Sequence, residues 1–103
     1  QLNVFSFFSH LPKILVMSLF DLVQRVPLGY TTVQYAGRTY GLQRRDFNGG
    51  KSVKVFAEEL GGTDFISFNF YQTSQGDQLK PCEMPAPKVL DFLRGFTFEN
   101  VKK

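Results

Sequence analysis

The first predicted element of secondary structure is a run of apolar residues at helical spacing. The first predicted helix has four apolar positions spaced as i, i+3, i+4 and i+7: Leu19, Leu22, Val23 and Val26. Ser18 is a favourable N-cap, and Asp21 stands three residues later, as in a capping box. Pro27 and Gly29 follow and end the helical pattern. The sequence therefore predicts one short amphipathic helix before the strands begin.

The period then changes from helical spacing to alternation, which is typical of half-buried strands. Strands are predicted over residues 30–36, 38–47, 51–58, 63–73 and, as a short edge strand, 78–84. Pro81 confines the last of these to an edge or a bulge. Asn48-Gly49-Gly50 is the strongest turn signal, because Asn-Gly favours positive φ. Alternation places two apolar sets on one predicted face: Val53, Val55 and Ala57, then Ile66, Phe68 and Phe70.

A second helix is predicted after Pro85-Ala86-Pro87, because proline suits a first helical turn. Gly95 is its expected terminator. Its predicted buried face consists of Val89, Leu90, Phe92, Leu93 and Phe96. Short turns between consecutive strands indicate antiparallel pairing. The predicted fold class is therefore α+β: an antiparallel four- to five-stranded meander flanked by an N-terminal and a C-terminal helix.

The chain of 103 residues is long enough for one domain. Residues 1–16 are apolar and contain no acid, and they lack the charge order and cleavage site of a secretory signal. We therefore expect 1–16 to be an apolar N-terminal extension, with the α+β domain over 17–98 and a frayed tail over 99–103.

Aromatic residues and positive charge are the two unusual features of the composition. There are 12 Phe and 4 Tyr, and the net charge is +3. Between residues 38 and 54 there is one acid, Asp46, and there are five cations: Arg38, Arg44, Arg45, Lys51 and Lys54. Such a block is either a solvated sheet face or a site that attracts phosphate. Likewise, the aromatic residues either fill the core or form a stacking platform for bases.

One arrangement would combine these two features. If one sheet face is open, it presents aromatic side chains beside cations, which suits single-stranded nucleic acid. The residues of this predicted site are Arg44, Arg45, Lys51, Lys54, Phe56 and Tyr71, with Phe65 on the same face. The alternative is that the aromatic residues lie beneath the helices or the N-terminal extension.

Few of the common catalytic arrangements can be built from this chain. His10 and Cys82 are the only histidine and cysteine, which argues against a zinc site, a disulfide and a Ser–His–Asp triad. No apolar run is long enough for a transmembrane helix. We expect no cofactor, no metal and no membrane contact, and a cytoplasmic location. Cys82 is either a small buried hydrophobe or a thiol activated by Lys80 and the following helix.

The segment RDFNGGK at residues 45–51, followed by a strand pair and a C-terminal helix, resembles the PC4-like single-stranded DNA-binding domain. That resemblance covers residues 38–96 and is mostly topological. It implies four antiparallel strands running into one helix, a dimer formed through that helix, and phosphate contacts from Arg44, Arg45, Lys51 and Lys54. The helix predicted before the sheet is a departure from that family.

A second resemblance rests on GGTDFIS at residues 61–67 and LKPCEMP at residues 79–85. Over residues 17–96 the chain is similar to short bacterial proteins labelled peptide methionine sulfoxide reductase. The A-type signature Gly-Cys-Phe-Trp is absent. This resemblance implies Cys82 as the nucleophile, regenerated by an outside thiol.

The sequence favours a small non-enzymatic binding or interaction domain in a bacterial cytoplasm, with single-stranded nucleic acid as the first ligand. Two alternatives stay open: a thiol-dependent reductase that uses Cys82, and a protein-interaction or homodimerisation module. The latter would act through an edge strand or the last helix.

Overall fold

A six-stranded antiparallel sheet covered on one face by two helices forms the protein over residues 17–98, the part that this computed structural model describes. The elements are α1 (Leu19–Gln24), β1 (Gly29–Tyr35), β2 (Arg38–Phe47), β3 (Ser52–Glu59), β4 (Phe65–Thr73), β5 (Gly76–Pro81), α2 (Ala86–Gly95) and β6 (Thr97–Phe98). The predicted α+β class and antiparallel meander are confirmed. The predicted extension over 1–16 and tail over 99–103 lie outside the described residues.

The strand number differs from the four or five predicted. The order across the sheet is β5-β4-β3-β2-β1-β6, so the first five strands form the meander and β6 is added beside β1. After α2 the chain turns back along the sheet, where Thr97 pairs with Gln34 and Phe98 with Val33. A two-residue strand is too short to show any period, which is why the hydrophobic pattern did not predict it.

The core lies between the sheet and the helices, as the alternation predicted. Strands β3 and β4 bury Val53, Val55, Ala57, Ile66, Phe68 and Phe70. The helices and the residues that closely follow them contribute Leu22, Val23, Val26, Val89, Phe92, Leu93 and Phe96. The ring of Phe92 has its centroid 5.1 Å from that of Tyr35 and 5.6 Å from that of Tyr40. These edge contacts add specific geometry to the burial of α2 on the sheet.

The two helices are joined by one arginine. Ser18 caps α1 by accepting a hydrogen bond from the backbone N–H of Asp21, 3.1 Å away. Just after α1, Arg25 donates to the carbonyl oxygens of Leu93 at 2.5 Å and of Phe96 at 2.7 Å. Its guanidinium also lies 4.2 Å from the centroid of the Phe96 ring. Arg25 thus satisfies carbonyls at the end of α2 that have no partner within the helix.

The β2–β3 connection is the tight turn that the sequence predicted. Asn48, Gly49 and Gly50 all have positive φ, at 55°, 66° and 90°. Asparagine and glycine tolerate this conformation better than other residues, so the local sequence fixes the hairpin.

Two absences hold for the described part of the chain. Within residues 17–98 no helix is both long and apolar enough to cross a membrane. The same residues contain no cluster of three or more His, Cys, Asp or Glu side chains that could hold a metal ion.

Candidate nucleic-acid interface

The sheet face that points away from both helices carries large exposed aromatic side chains. We call it the open face, and it is formed by every second residue of β1 to β5. Tyr30 is 63% exposed, Phe47 46% and Phe56 39%. Because such rings are usually buried in a domain of this size, their exposure on one face marks it as a candidate binding surface.

A row of cations crosses the open face at right angles to the strands. Arg45 on β2 pairs with Lys54 on β3, Lys54 pairs with Asn69 on β4, and Asn69 pairs with Lys80 on β5. Adjacent strands lie roughly 4.8 Å apart, so the backbone positions of this cationic row extend over about 14 Å. All three cations are exposed.

Aromatic residues flank the cationic row on both sides. On one side Tyr30 pairs with Gln43, which pairs with Phe56. On the other side Phe47 and Tyr71 both pair with Ser52. The open face therefore alternates aromatic, cationic and aromatic rows along the strand direction.

Charge on the open face is largely uncompensated. Within residues 17–98, no ion pair or side-chain hydrogen bond involves Arg45, Lys54 or Lys80. The acid on this face is Glu58, which lies opposite Phe65. Three cations against one carboxylate give the face a local positive potential that attracts anions.

A shallow pocket of about 210 Å³ lies between β2 and β3 on the open face. Its lining is Gln43, Arg45, Lys54 and Phe56. These residues form two directly paired positions, Gln43 with Phe56 and Arg45 with Lys54. An aromatic ring, an amide and two cations thus converge on one space.

The structure corrects the predicted site at Arg44. This side chain points towards the helices, is 7% exposed, and donates to the carbonyl oxygen of Val26 at 2.7 Å. Its Nε and Nη2 donate to the two carboxylate oxygens of Asp46, at 2.8 and 3.0 Å. Successive residues of a strand face opposite ways, so Arg44 and Arg45 cannot act on the same surface.

The other predicted residues of the site lie partly on the open face and partly outside it. Arg45, Lys54 and Phe56 lie together on the open face, and Tyr71 is half-buried on the same face. Lys51 lies beyond them in the exposed β2–β3 turn. The structure adds residues that the sequence reasoning did not include: Lys80, Tyr30 and Phe47. Alternation along β5 would have placed Lys80 on the other sheet face from Leu79. Its alignment with Lys54, however, depends on strand register.

Cys82 is half-buried beside the open face, just beyond β5. Its backbone N–H donates to the carbonyl oxygen of Ser67, and its Sγ accepts a weak hydrogen bond from the Asn69 amide at 3.9 Å. The Cys82 side chain is therefore neither fully buried nor fully exposed.

A charged network on the helix side anchors α2 to the sheet. Asp64, in the β3–β4 turn, accepts hydrogen bonds from Lys88 Nζ and Tyr40 Oη, both at 2.7 Å. The hydrogen bond from Lys88, followed by that from Tyr40, lowers the pKa of the Asp64 carboxyl. Burial, and then the hydrogen bond to Asp64, raise the pKa of Tyr40 to about 12. This network lies on the opposite side of the sheet from the cationic row.

Comparison with known proteins adds no further constraint: no protein-family model, curated protein or solved structure matches this chain. The functional argument therefore rests on the open face.

Proposed function

We propose that this protein is a small binding domain that holds single-stranded nucleic acid on its open face. The observation that carries the proposal is the cationic row Arg45–Lys54–Lys80 between two rows that each contain exposed aromatic residues. Phosphates are held along the cationic row, and bases stack on the rings on either side. A cytoplasmic location is part of the proposal, because the single cysteine requires no oxidising compartment.

Two physical terms support binding of a single strand. Stacking of one base on one aromatic side chain contributes about 1–3 kcal/mol and tolerates any base sequence. Neutralising phosphates releases counterions, which makes the affinity depend steeply on salt. The open face supplies both terms, with Phe56, Phe47 and Tyr30 exposed for stacking.

The charge of the face favours nucleic acid over a protein partner. Lysine is depleted at protein–protein interfaces, whereas Lys54 and Lys80 stand in the middle and at one end of this row. A homodimer formed through the open face would also bring like charges together. A measured molecular mass that doubles with rising protein concentration, with no oligonucleotide binding, would favour the interaction module instead.

The direct test is a titration of the full chain against labelled oligothymidine and oligouridine by fluorescence anisotropy at several salt concentrations. With three phosphates neutralised, the slope of log K against log salt is expected to be about −2, since single strands contribute roughly −0.7 per phosphate. Absence of binding at low salt, or an affinity that is independent of salt, would reject the proposal.

A pair of matched charge variants locates the binding surface. Lys54→Gln is expected to weaken binding and to reduce the salt slope by about 0.7, because one phosphate contact is lost. Arg94→Gln removes the same charge from an exposed position of α2 and is expected to leave both quantities unchanged. Equal losses in the two variants would show that net charge, and not this face, drives binding.

The alternative function is a Cys82-dependent reductase. The observation that favours it is the partial exposure of Cys82. Cys82→Ser separates the two functions, because the thiol is not part of the cationic or aromatic rows. Unchanged oligonucleotide affinity is expected, and no methionine sulfoxide reduction in either protein. Thiol-supported turnover that disappears in Cys82→Ser would establish the reductase.

A further inference from the structure

The pocket between β2 and β3 is more than part of a stacking platform. A nonspecific surface needs only rings and cations, but this pocket also contains the amide of Gln43. Within the described residues, that amide has no side-chain hydrogen bond, and the residue is exposed. A free amide beside an aromatic ring can read the edge of a base stacked on that ring.

Neighbouring rings keep the pocket open. Phe65 packs against Phe56 with ring centroids 6.1 Å apart, and it pairs with Glu58, on the side of Phe56 away from Lys54. The Tyr30 ring lies over Gly41, where an added Cβ would clash with the Tyr30 hydroxyl. With alanine at this position, the exposed Tyr30 ring would have to shift. Neither of these two rings lines the space between Phe56 and the cations.

We propose that this pocket is a purine-base subsite of the nucleic-acid surface, an inference that rests on the function proposed above. Adenine presents an N7 acceptor and an N6 donor to a glutamine amide, and guanine presents O6 and N7 acceptors to an arginine. Gln43 and Arg45 supply these two complements from adjacent outward positions of β2. Pyrimidines have no N7 and offer this edge a single polar group.

The phosphate of the same nucleotide is assigned to Lys54. It is directly paired with Arg45 and lies next to Phe56 on β3, so it can reach the backbone of a strand whose base occupies the pocket. This division leaves Gln43 as the group that distinguishes adenine, and Lys54 as a group that contributes affinity for every sequence.

The test compares an oligothymidine of about twelve nucleotides, within the usual range of single-strand sites, with the same strand carrying one central adenine or guanine. Each purine is expected to tighten binding to the wild-type protein by about fivefold, near the lower limit for a bidentate contact. Gln43→Leu is expected to bring the affinity for the adenine strand down to the affinity of the same variant for oligothymidine. Gln72→Leu, an exposed glutamine on the helix side of β4, is the matched control and should keep the adenine preference.

The outcomes separate the subsite from the function on which it rests. Salt-dependent binding of oligothymidine with no purine preference would reject the subsite and leave the proposed function standing. An adenine preference that survives in Gln43→Leu would also reject it, because the amide would not be the reading group. If none of the strands binds at low salt, the proposed function fails and the subsite fails with it.

Discussion

Arg44 and Arg45 are adjacent in sequence but have unrelated surroundings. Arg44 is buried beneath the sheet, where it holds Asp46 and the carbonyl oxygen that follows α1. Arg45 is exposed on the open face, and its side chain makes no ion pair or hydrogen bond with the described residues. Substituting the two arginines one at a time therefore tests the role of the sheet face, because the residue type is the same and the sequence position nearly so.

Arg44→Gln is expected to lower the free energy of unfolding by about 2–4 kcal/mol, because the half-buried Asp46 carboxylate and the Val26 carbonyl lose their donor. Arg45→Gln is expected to change it by less than about 0.5 kcal/mol, as exposed substitutions usually do. Urea unfolding followed by circular dichroism measures both values.

Oligonucleotide binding should show the reverse order for these two variants. Arg45→Gln is expected to weaken binding severalfold, whereas Arg44→Gln, assayed below its unfolding transition, should bind as the wild-type protein does. Loss of affinity in Arg44→Gln alone would contradict the assignment of the two faces.

At the scale of elements, α2 is attached to the sheet through Asp64. This carboxylate joins Tyr40 of β2 and Lys88 of α2, and the backbone N–H of Asp64 donates to Glu59 Oε1 at 3.2 Å. Hydrogen bonding lowers the pKa of Asp64 below its ordinary value of 3.8. A lowered pKa in the folded protein means that the ionised carboxylate stabilises the fold above about pH 4, and that this contribution is lost as the pH falls through the folded-state pKa.

Asp64→Asn is therefore expected to be destabilised by about 1 kcal/mol at pH 7 and by less at pH 3, because the contribution of the ionised carboxylate decreases with pH below about 4. Urea midpoints at the two pH values test this. Asp91→Asn, at an exposed position of α2, should match the wild-type protein at both. An equal deficit of Asp64→Asn at pH 7 and pH 3 would mean that the charge of Asp64 is irrelevant.

The same network sets a limit on the alkaline side. The pKa of Tyr40 is raised from 10.0 to about 12, so its contribution is complete below pH 10 and is lost as the pH rises through 12. The Tyr40–Asp64 hydrogen bond in this attachment is thus expected to hold between these limits.

At the scale of the whole molecule, the two faces divide the charge. Acids with partners, such as Asp46 and Asp64, lie on the helix side, whereas the open face has Glu58 against three cations. Glu58 therefore opposes the binding of any phosphate nearby.

Glu58→Gln is expected to strengthen oligothymidine binding by about two- to threefold at low salt, with the difference vanishing at high salt through screening. Asp91→Asn makes the same change of net charge on the helix side and should not alter the affinity. Anisotropy titrations at two salt concentrations are sufficient, and a weaker Glu58→Gln complex would count against binding on the open face.

Much of this architecture could be predicted from the sequence, because it depends on local patterns. The bounds of β2, Arg38–Phe47, are those that the alternation predicted, and the Ser18 cap and the Asn48-Gly49-Gly50 turn were also identified. Burial of Arg44 had a usable signal, since it shares the parity of the core residue Leu42 on β2.

What could not be predicted depends on pairing between distant segments. The position of Lys80 in the cationic row is set by the β3–β4 and β4–β5 registers together, and neither is visible in a local pattern. Strand β6 exists because α2 delivers Thr97 to the free edge of β1. The shape of the pocket at Gln43 depends on the positions of the Tyr30 and Phe65 rings.

The contact of Arg25 with the end of α2 has a consequence for the order of assembly during synthesis. Arg25 and its carbonyl partners are 68 and 71 positions apart, so the two ends of the described chain close the fold together. A ribosome releases all five strands of the meander before α2. Until α2 has emerged, the nascent chain must therefore carry the sheet core without the cover of this helix, and it is most prone to associate with other chains at that stage.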